Sequence, residues 1–472
     1  MTGVAAETVD VVALPYSVVD PERGDGPRTA PARRRRSRPA PPRPAARQRR
    51  YRHARARRVP AGPGDLVLMP VTFVLGCLVV YARDPSLVLR PSFWAEDGTV
   101  WFHDAYTSGW LRPLAQPHAG YLQVFPRAIA DIGLHVPLGR VPLLFATAAL
   151  VVQVLPAVLM VSRRFASVAP DYRVRLLLAA IYLLVPNSSE VDANLTNAQW
   201  HLALLAVMVV LALPATGAWR VVDVVVVAVS GLTGPFSISL VIIVALLYAV
   251  RRRPWTLVLG SITLVTAVLE LVVLSGARRG QFGSLGMSVD RLVELLGGRL
   301  VANTVLGTST TVARPFVAHL LSYSVAFLVL AAVVVALALW RGPLELKLFN
   351  LYAGLVLAGS FASPLVSVTG SQWKVLIADS GARYWLLPSL AVLVDVVWLA
   401  GQVRAMWRWA AAAAVLLLVV VAVSGMREDF HYPVVAAPGW STQVRQFEAL
   451  RPGTPYTFKI RPPGWTVTVV RK

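Results

Sequence analysis

Two adjacent carboxylates, Glu96 and Asp97, follow the first long apolar segment of the chain, within Trp94-Ala95-Glu96-Asp97-Gly98. A carboxylate in a partly enclosed site can act as a general base, and neighbouring acids raise each other's proton affinity. The pair therefore predicts a base that takes a proton from a hydroxyl as it attacks an activated donor. The structural alternative is a helix cap, because a carboxylate at this point favours the positive end of a following helix.

The same polar stretch contains further groups that suit hydroxyls and phosphate. Asp104 lies seven residues beyond Asp97, two helical turns along the same face, where it either joins a pocket or is solvated. His118 and Tyr121 flank a turn-forming Ala-Gly pair, and Arg127 follows shortly afterwards. Histidine, tyrosine and arginine side chains donate hydrogen bonds, and their grouping on the acidic loop favours a shared site.

A third cluster begins a later apolar segment and comprises Asn197, Gln199, Trp200 and His201. Amides, an aromatic ring and a histidine can bind a polyhydroxylated ligand by hydrogen bonding and stacking. The alternative is an ordinary polar helix start with a tryptophan at the membrane interface. The residues alone leave both interpretations open.

A fourth group, Arg383 and Tyr384, lies within Gly381-Ala382-Arg383-Tyr384-Trp385, where a polar loop enters an apolar segment. An arginine at a membrane rim can simply extend its guanidinium to the headgroups. It can also clamp a phosphate at headgroup depth, since a guanidinium binds phosphate in a bidentate manner. A lipid-linked phosphate would have to lie at this depth.

Composition predicts that a membrane protein positions these groups. The chain has 472 residues, of which 56% are hydrophobic and only 15% charged, with a mean hydropathy of +0.60. Soluble domains carry about 25% charged residues, so an all-α polytopic membrane protein is expected. The single cysteine, Cys77, excludes an intramolecular disulfide.

Apolar segments that approach the roughly 20 residues of a transmembrane helix recur along the chain. They predict a transmembrane helix bundle of about eleven helices, oriented so that the short loops rich in Lys and Arg are cytoplasmic. This orientation puts the N-terminus in the cytoplasm. The C-terminus and the large loop 84–140, with its interfacial helices, are then extracytoplasmic. The predicted segments are 66–83, 141–162, 175–187, 200–214, 220–233, 236–250, 254–275, 317–340, 345–364, 384–400 and 409–425.

The predicted organisation is a tail at 1–65, a transmembrane domain at 66–425 and a small extracytoplasmic appendage at 426–472. Residues 1–65 contain 15 arginines and six acidic residues and are rich in proline, so we expect a disordered cytoplasmic tail. Beside a transmembrane helix, such a tail is expected to contact anionic lipid and to fix topology rather than to bind nucleic acid.

Several signatures of other chemistry are missing from the sequence. It contains no Walker loop, no dinucleotide-binding glycine pattern, no zinc-ligand spacing and no nucleophile elbow. A soluble nucleotide-handling domain is therefore not expected, which disfavours ATP-driven transport and nucleotide-activated donors.

The pattern resembles the GT-C superfamily, polytopic membrane glycosyltransferases that take a sugar from a polyprenyl-phosphate carrier. The resemblance covers roughly 66–425. It implies a bacterial plasma-membrane enzyme that transfers a sugar, with inversion at the anomeric carbon, to a cell-envelope glycan, lipid or protein at the outer face. The segments that carry it are Phe93-Trp94-Ala95-Glu96-Asp97-Gly98 on the first outer loop, the stretch from Gly120-Tyr121 to Pro126-Arg127, and Gly381-Ala382-Arg383-Tyr384-Trp385.

The resemblance also implies roles for the candidate residues. A first-loop acid is the base, but the two acids here are adjacent rather than separated by one residue. This departure leaves the base open between Asp97, which we favour, and Glu96, which would orient the acceptor or a metal. Several members need no metal, so no cofactor is expected, with a divalent metal as the alternative. The donor phosphate is assigned to Arg383, Arg127 and Tyr384, and substrate binding to His118, Tyr121, Asn197, Gln199, Trp200, His201 and Asp104.

Other functions fit parts of the pattern. A transporter or flippase of lipid-linked sugars would be expected to show two related halves with paired broken helices, and no such repeat is evident. An oligosaccharide polymerase or ligase usually has its main outer loop late in the chain, whereas the richest loop here is the first. A non-catalytic scaffold is the remaining alternative.

Overall fold

The apolar segments form α-helices, which satisfy their backbone hydrogen bonds internally and so suit a lipid environment. The computed structural model describes residues 63–214, 216–276, 283–366, 370–378, 381–402, 410–432 and 439–472. The predicted disordered tail, apart from residues 63–65, lies outside the described residues, and so does its predicted contact with anionic lipid.

Each predicted apolar segment coincides largely with a helix, but the helices differ in length. Within the described residues, six are long and apolar enough to cross a membrane, and they indicate a membrane protein. Their bounds are Asp65–Arg83, Leu138–Val161, Pro254–Gly276, Leu320–Arg341, Leu344–Ala362 and Ala382–Gln402. The count of eleven spans therefore stays a prediction. The other segments correspond to Tyr172–Leu183, Ala198–Leu211, Ala218–Gly231, Phe236–Arg251 and Ala410–Glu428.

One of the shorter helices forms the interior of the bundle. A helix of 14 residues rises only about 21 Å, less than the roughly 30 Å of the hydrocarbon layer. Ala198–Leu211 has this length, and all 14 of its residues are buried. It packs against Val141–Val161, Ala218–Gly231 and Phe236–Arg251. The start of this central helix is consequently held by neighbours on every side.

The polar connections contain short helices that fix where the chain turns. Helices are present in the first loop, as predicted, and one of them, Asp97–Phe102, has the wider π-helical winding that is frequent at functional sites. The other helices of this loop are Ser86–Leu89, His103–Ser108, Arg112–Ala115 and Val124–Gly133. Further short helices are Leu138–Arg140, Arg163–Ser167, Val289–Val293, Glu294–Ala302, Asn303–Leu306, Thr308–Val312, Arg314–Ala318, Gln372–Ile377 and Ala382–Trp385.

The described residues are mostly helical, consistent with the all-α expectation, and the C-terminal appendage adds one short β-hairpin. Strands Pro455–Lys459 and Thr466–Val470 pair antiparallel, and the helix Trp440–Glu448 packs on them. The alternating side chains of the second strand, TVTVV, place Val467 and Val469 in the core and the other residues at the surface. Within the appendage, residues 439–472 form a small folded unit, which follows the end of the helix Ala410–Glu428.

This unit is joined to the first loop by backbone hydrogen bonds and aromatic packing. Ala95 N donates to Arg461 O at 2.5 Å, and Arg461 N donates to Phe93 O at 2.9 Å. The Phe93 ring lies 5.0 Å from the Trp440 ring, edge to face. The C-terminal unit therefore lies directly against the acidic motif, although nearly 370 residues separate them in sequence.

Candidate functional site

A cavity of about 1850 Å³ opens among the loops at the end of the bundle that carries the acidic motif. It is larger than the roughly 300–1,000 Å³ of an ordinary small-molecule site. Its walls come from the first loop, the segment before the central helix, several helix ends and the C-terminal unit. The predicted site residues that line it are Glu96, His118, Tyr121, Asn197, Gln199, Trp200, Arg383 and Tyr384.

The acidic motif turns sharply, so its two carboxylates face different surroundings. Ala95 has a φ of +40°, and Asp97 N donates to Trp94 O at 2.7 Å, which closes the turn. Glu96 is half-buried on the cavity wall. Within the part of the chain that the structure describes, no hydrogen bond or ion pair engages its carboxylate. Glu96 is therefore the acid of this pair that a ligand in the cavity can reach.

Asp97 is enclosed and fully hydrogen-bonded, with 3% of its surface exposed. Its Oδ1 accepts from Thr196 N at 2.8 Å and Thr196 Oγ1 at 2.7 Å, and its Oδ2 accepts from Leu195 N at 3.3 Å. Burial raises the pKa of Asp97 to about 7, while these hydrogen bonds oppose the rise. Asp97 borders a separate small cavity of about 30 Å³ rather than the large one. This position does not support our preference for Asp97 as the base.

The helix-cap alternative for the acidic motif does not fit the geometry either. The π-helix begins at Asp97, and the side chain of its N-cap residue, Glu96, makes no capping hydrogen bond. Asp97 bonds instead to the segment that precedes the central helix. Asp97 thus ties the first loop to that segment, and Glu96 is left facing the cavity.

Arg383 also lines the cavity, in the helical turn Ala382–Trp385 that leads into the last-but-one long helix. Its Nη1 pairs with Glu190, and its backbone N donates to Glu190 Oε2 at 3.1 Å. Its Nη2 donates to Leu365 O at 2.6 Å, and the guanidinium lies 4.8 Å from the Tyr384 ring centroid. Among the described residues that line the cavity, Arg383 is the only lysine or arginine.

A tight turn presents His118 and Tyr121 to the cavity. The two residues between them, Ala119 and Gly120, have φ values of +54° and +90°, as in the turns that close two-residue hairpins. His118 N donates to Tyr121 O at 2.9 Å, and Tyr121 N returns a bond to His118 O at 3.2 Å. Burial lowers the pKa of His118, although the nearby Glu96 acts in the opposite direction. A neutral imidazole with one donor and one acceptor is therefore expected near pH 7.

The start of the central helix supplies the amide and indole groups of the cavity. Gln123 Nε2 donates to Gln199 Oε1 at 3.2 Å, which joins the first loop to this helix. Gly234 is required here, because a Cβ at this residue would lie 2.4 Å from Gln199 Oε1. Trp200 packs between Phe236 and Tyr384, with ring centroids 4.8 Å and 5.6 Å away.

Three buried polar atoms on the cavity wall lack a hydrogen-bond partner within the described structure. They are Trp200 Nε1, Asn187 Nδ2 and Gln123 Oε1. Leaving a buried donor or acceptor unsatisfied costs about 1–3 kcal/mol. All three atoms are themselves buried, so they are polar groups behind the cavity wall rather than groups exposed to the cavity.

Four of the predicted site residues do not line the cavity. Arg127 is 2% exposed and pairs with Asp104 at 2.9 Å, with its guanidinium 5.1 Å from the Trp101 ring. Both residues are thus used in holding the first loop together. His201 points into the bundle, since it is rotated about 100° from Trp200 on the helix, and its Nδ1 lies 2.8 Å from Tyr182 Oη. Asp97 is the fourth, as described above.

Sequence reasoning missed several residues of the cavity. Glu190 is the partner of Arg383, and Glu428, Asp429, His431 and Trp465 line the cavity from the C-terminal part of the chain. One signal was available, because Glu428-Asp429 ends an apolar helix with two adjacent acids, much as Glu96-Asp97 follows the first one. Because the two acidic pairs are more than 300 residues apart, the sequence does not show that residues of both line the same cavity.

The acids of the cavity do not form an evident metal site in the described part of the chain. No three His, Cys, Asp or Glu side chains there are close enough to hold a metal ion. Both carboxylate oxygens of Asp429 already accept a hydrogen bond from Thr308 N, at 2.9 Å and 3.1 Å.

No protein-family model matches this chain. No curated protein has a sequence similar enough to match it either. A functional conclusion has to come from the cavity and its residues.

Proposed function

We propose that the chain is an inverting membrane glycosyltransferase that transfers a sugar from a polyprenyl-phosphate donor to a cell-envelope acceptor. One observation carries the proposal: Glu96 and Arg383, far apart in sequence, line the same cavity. Inverting transfer needs a base for the acceptor hydroxyl and a cation for the leaving phosphate. The cavity contains a residue suited to each task.

In the proposed step, the Glu96 carboxylate takes the proton of an acceptor hydroxyl while that oxygen attacks the anomeric carbon of the donor. The bond between this carbon and the phosphate oxygen breaks, and its electron pair stays with the polyprenyl phosphate. The phosphate therefore gains negative charge as the reaction proceeds. Because Arg383 attracts that developing charge, it stabilises the transition state more than the bound donor.

Glu96 is the base in this proposal, and Asp97 is a positioning residue. The Glu96 carboxylate faces the cavity, whereas both Asp97 oxygens accept hydrogen bonds from Leu195 and Thr196. Those bonds hold the acidic turn against the segment that continues into Asn197 and the central helix. Loss of Asp97 would displace Glu96 relative to that segment without removing the base itself.

Glu190 gives Arg383 a partner when the donor is absent. A partly buried guanidinium without a counter-charge is unfavourable, and the pair is 21–22% exposed on each side. A donor phosphate would compete with Glu190 for the guanidinium, which offers five N–H donors. Arg383 can keep the hydrogen bond from Nη2 to Leu365 O while its Nη1 exchanges Glu190 for the phosphate.

The walls of the cavity support a donor with a lipid part and a sugar part. Leu355, Val356 and Val366 line the cavity together with Arg383 and would contact a polyprenyl chain. The amide side chains of Asn187, Asn197 and Gln199 also line the cavity, and amides suit sugar hydroxyls because they both donate and accept hydrogen bonds.

The proposal includes the eleven-span topology, with the N-terminus cytoplasmic, the cavity at the extracytoplasmic face and the protein in a bacterial plasma membrane. Single cysteines introduced into a Cys77→Ser background test it through labelling of intact cells by an impermeant maleimide. Positions 110 and 448 should be labelled from outside. Labelling at those positions only after permeabilisation would contradict the orientation.

The enzyme proposal is tested with the full chain in proteoliposomes that contain radiolabelled polyprenyl-phosphate hexoses or pentoses and a cell-envelope acceptor extract. The wild-type protein should release polyprenyl phosphate and label the acceptor in equal amounts. Glu96→Gln should lose transfer while it still binds the donor. The matched control is Glu448→Gln, an exposed acid of the C-terminal helix that does not line the cavity.

The same assay separates the enzyme from a flippase. A flippase would move the labelled donor across the bilayer without breaking the bond between the sugar and the phosphate. Donor translocation by the wild-type protein with no release of polyprenyl phosphate would contradict the enzyme proposal. Full transfer by Glu96→Gln would reject the assignment of the base.

A further inference from the structure

The C-terminal unit contributes an aromatic side chain to the cavity that its own core does not use. Trp440, Phe447 and Phe458 are 4%, 5% and 1% exposed and form that core. Trp465 is 39% exposed and lines the cavity instead. An exposed indole on a cavity wall offers a ligand an apolar stacking face together with an N–H donor.

A second tryptophan, Trp94, lines the cavity from the first loop, two residues before Glu96. The backbone of Trp94 is bridged to Arg461, and Ile460 N donates to Trp465 O at 3.0 Å across the hairpin turn. Trp465 N donates to Pro462 O at 3.1 Å, which closes that turn. Hydrogen bonds therefore join the two backbone segments that carry the tryptophans, and they fix the position of both segments relative to Glu96.

We propose that Trp94 and Trp465 form the acceptor subsite, and that the acceptor is a glycan of hexopyranose units. This inference rests on the proposed function and specifies its acceptor. One face of a hexopyranose carries C–H groups with a small positive charge, which the electron-rich face of an indole attracts. The hydroxyls at the edge of the same sugar remain free to approach Glu96.

The position of these tryptophans favours the acceptor over the donor. The donor must place its phosphate at Arg383, beside the apolar side chains that would accompany a lipid tail. Trp94 and Trp465 belong to the first loop and the C-terminal unit, and neither lies in a helix that could cross the membrane. A water-soluble glycan chain would enter from this polar side.

The binding test uses the full chain in nanodiscs, titrated by calorimetry with mannotetraose, cellotetraose and galactotetraose. At least one of these tetrasaccharides should bind the wild-type protein. Trp465→Ala and Trp94→Ala should weaken that binding by about tenfold, because each removes one stacking surface. Trp465→Phe should recover part of the loss, since a smaller ring remains. Trp110→Ala is the matched control, because Trp110 is 64% exposed but lies outside the cavity.

A kinetic test with the same variants separates acceptor from donor. In the transfer assay, Trp465→Ala should raise the KM for the acceptor and leave the KM for the donor unchanged. A rise in the donor KM alone would overturn the assignment to the acceptor. Binding of no tetrasaccharide by the wild-type protein, or unaltered binding by both alanine variants, would overturn the subsite.

These outcomes can be told apart from failure of the proposed function. If Glu96→Gln retains full transfer while Trp465→Ala loses glycan binding, the base assignment fails and the subsite stands. If Glu96→Gln abolishes transfer while Trp465→Ala changes neither binding nor acceptor KM, the enzyme stands and the subsite fails.

Discussion

Thr196 directs two donors at a single oxygen of Asp97, its amide at 2.8 Å and its hydroxyl at 2.7 Å. The hydroxyl of Thr196 also accepts from Trp101 Nε1 at 3.1 Å. The acidic turn, the π-helix that follows it and the approach to the central helix therefore meet at one threonine. The orientation of Glu96 depends on this junction.

The first prediction concerns stability and pH. Burial raises the pKa of Asp97 to about 7, above the ordinary aspartate value of 3.8. The folded state thus favours protonated Asp97, and this stabilising contribution, complete below about pH 4, is lost as pH rises through 7. We expect the melting temperature of the wild-type protein to fall between pH 5 and 8 more steeply than that of Asp97→Asn. Differential scanning fluorimetry in detergent checks this, and equal slopes would contradict the protonation of Asp97.

The second prediction concerns the base. Glu96→Gln keeps the size and polarity of the side chain but removes proton acceptance, so we expect kcat to fall by about 10²–10⁴-fold. The donor KM should change little. Asp97→Asn should lower kcat less, because it disturbs position without removing the base. Initial rates across a donor series measure both effects, and a larger loss for Asp97→Asn would reverse the assignment.

The third prediction concerns the pair between Arg383 and Glu190. Arg383→Ala should lower kcat by about 10²–10³-fold, as expected for loss of a contact that grows in the transition state. Glu190→Gln removes the competing charge, so we expect polyprenyl phosphate to inhibit more strongly in this variant. The inhibition constant of the product is the measurement. The control is Arg112→Ala, because Arg112 is an exposed arginine of the first loop that does not line the cavity.

The fourth prediction concerns the attachment of the C-terminal unit. A Cβ at Gly98 would lie 2.9 Å from Ile460 Cδ1 and 3.1 Å from Phe93 Cβ. Gly98→Val should therefore loosen the unit, and limited proteolysis should cleave near the start of Trp440–Glu448 faster than in the wild-type protein. Gly139→Ala, where nothing lies within 4 Å of the added Cβ, should leave the rate unchanged. Equal cleavage in all three proteins would contradict the role of Gly98.

Hydrophobic pattern was enough to predict the helical segments, because each depends on a local run of apolar residues. The hairpin at Pro455–Lys459 and Thr466–Val470 was not predicted, since two strands of five residues give a weak periodic signal. The shorter helices show a related limit. Ala198–Leu211 is as apolar as the long helices, and only packing reveals that it lies inside the bundle.

The candidate site was predictable where one loop presents its residues together. Glu96, His118 and Tyr121 are close in sequence, and all three line the cavity. Arg127 was assigned to phosphate, but a buried arginine needs a nearby carboxylate, and Asp104 lies within reach. Glu190 and Trp465 depend on contacts between distant segments, and no local pattern identifies such partners.

The charges on the cavity wall affect how much negative charge a bound phosphate group can carry. The described wall carries the carboxylates of Glu96, Glu190, Glu428 and Asp429 against the single guanidinium of Arg383. A nucleoside diphosphate brings several negative charges, and most of them would meet carboxylates at close range, where like charges repel strongly. A phosphodiester with one negative charge needs only one cation. If the proposed function holds, this balance of charge favours a donor with a single phosphodiester charge over a donor with a diphosphate.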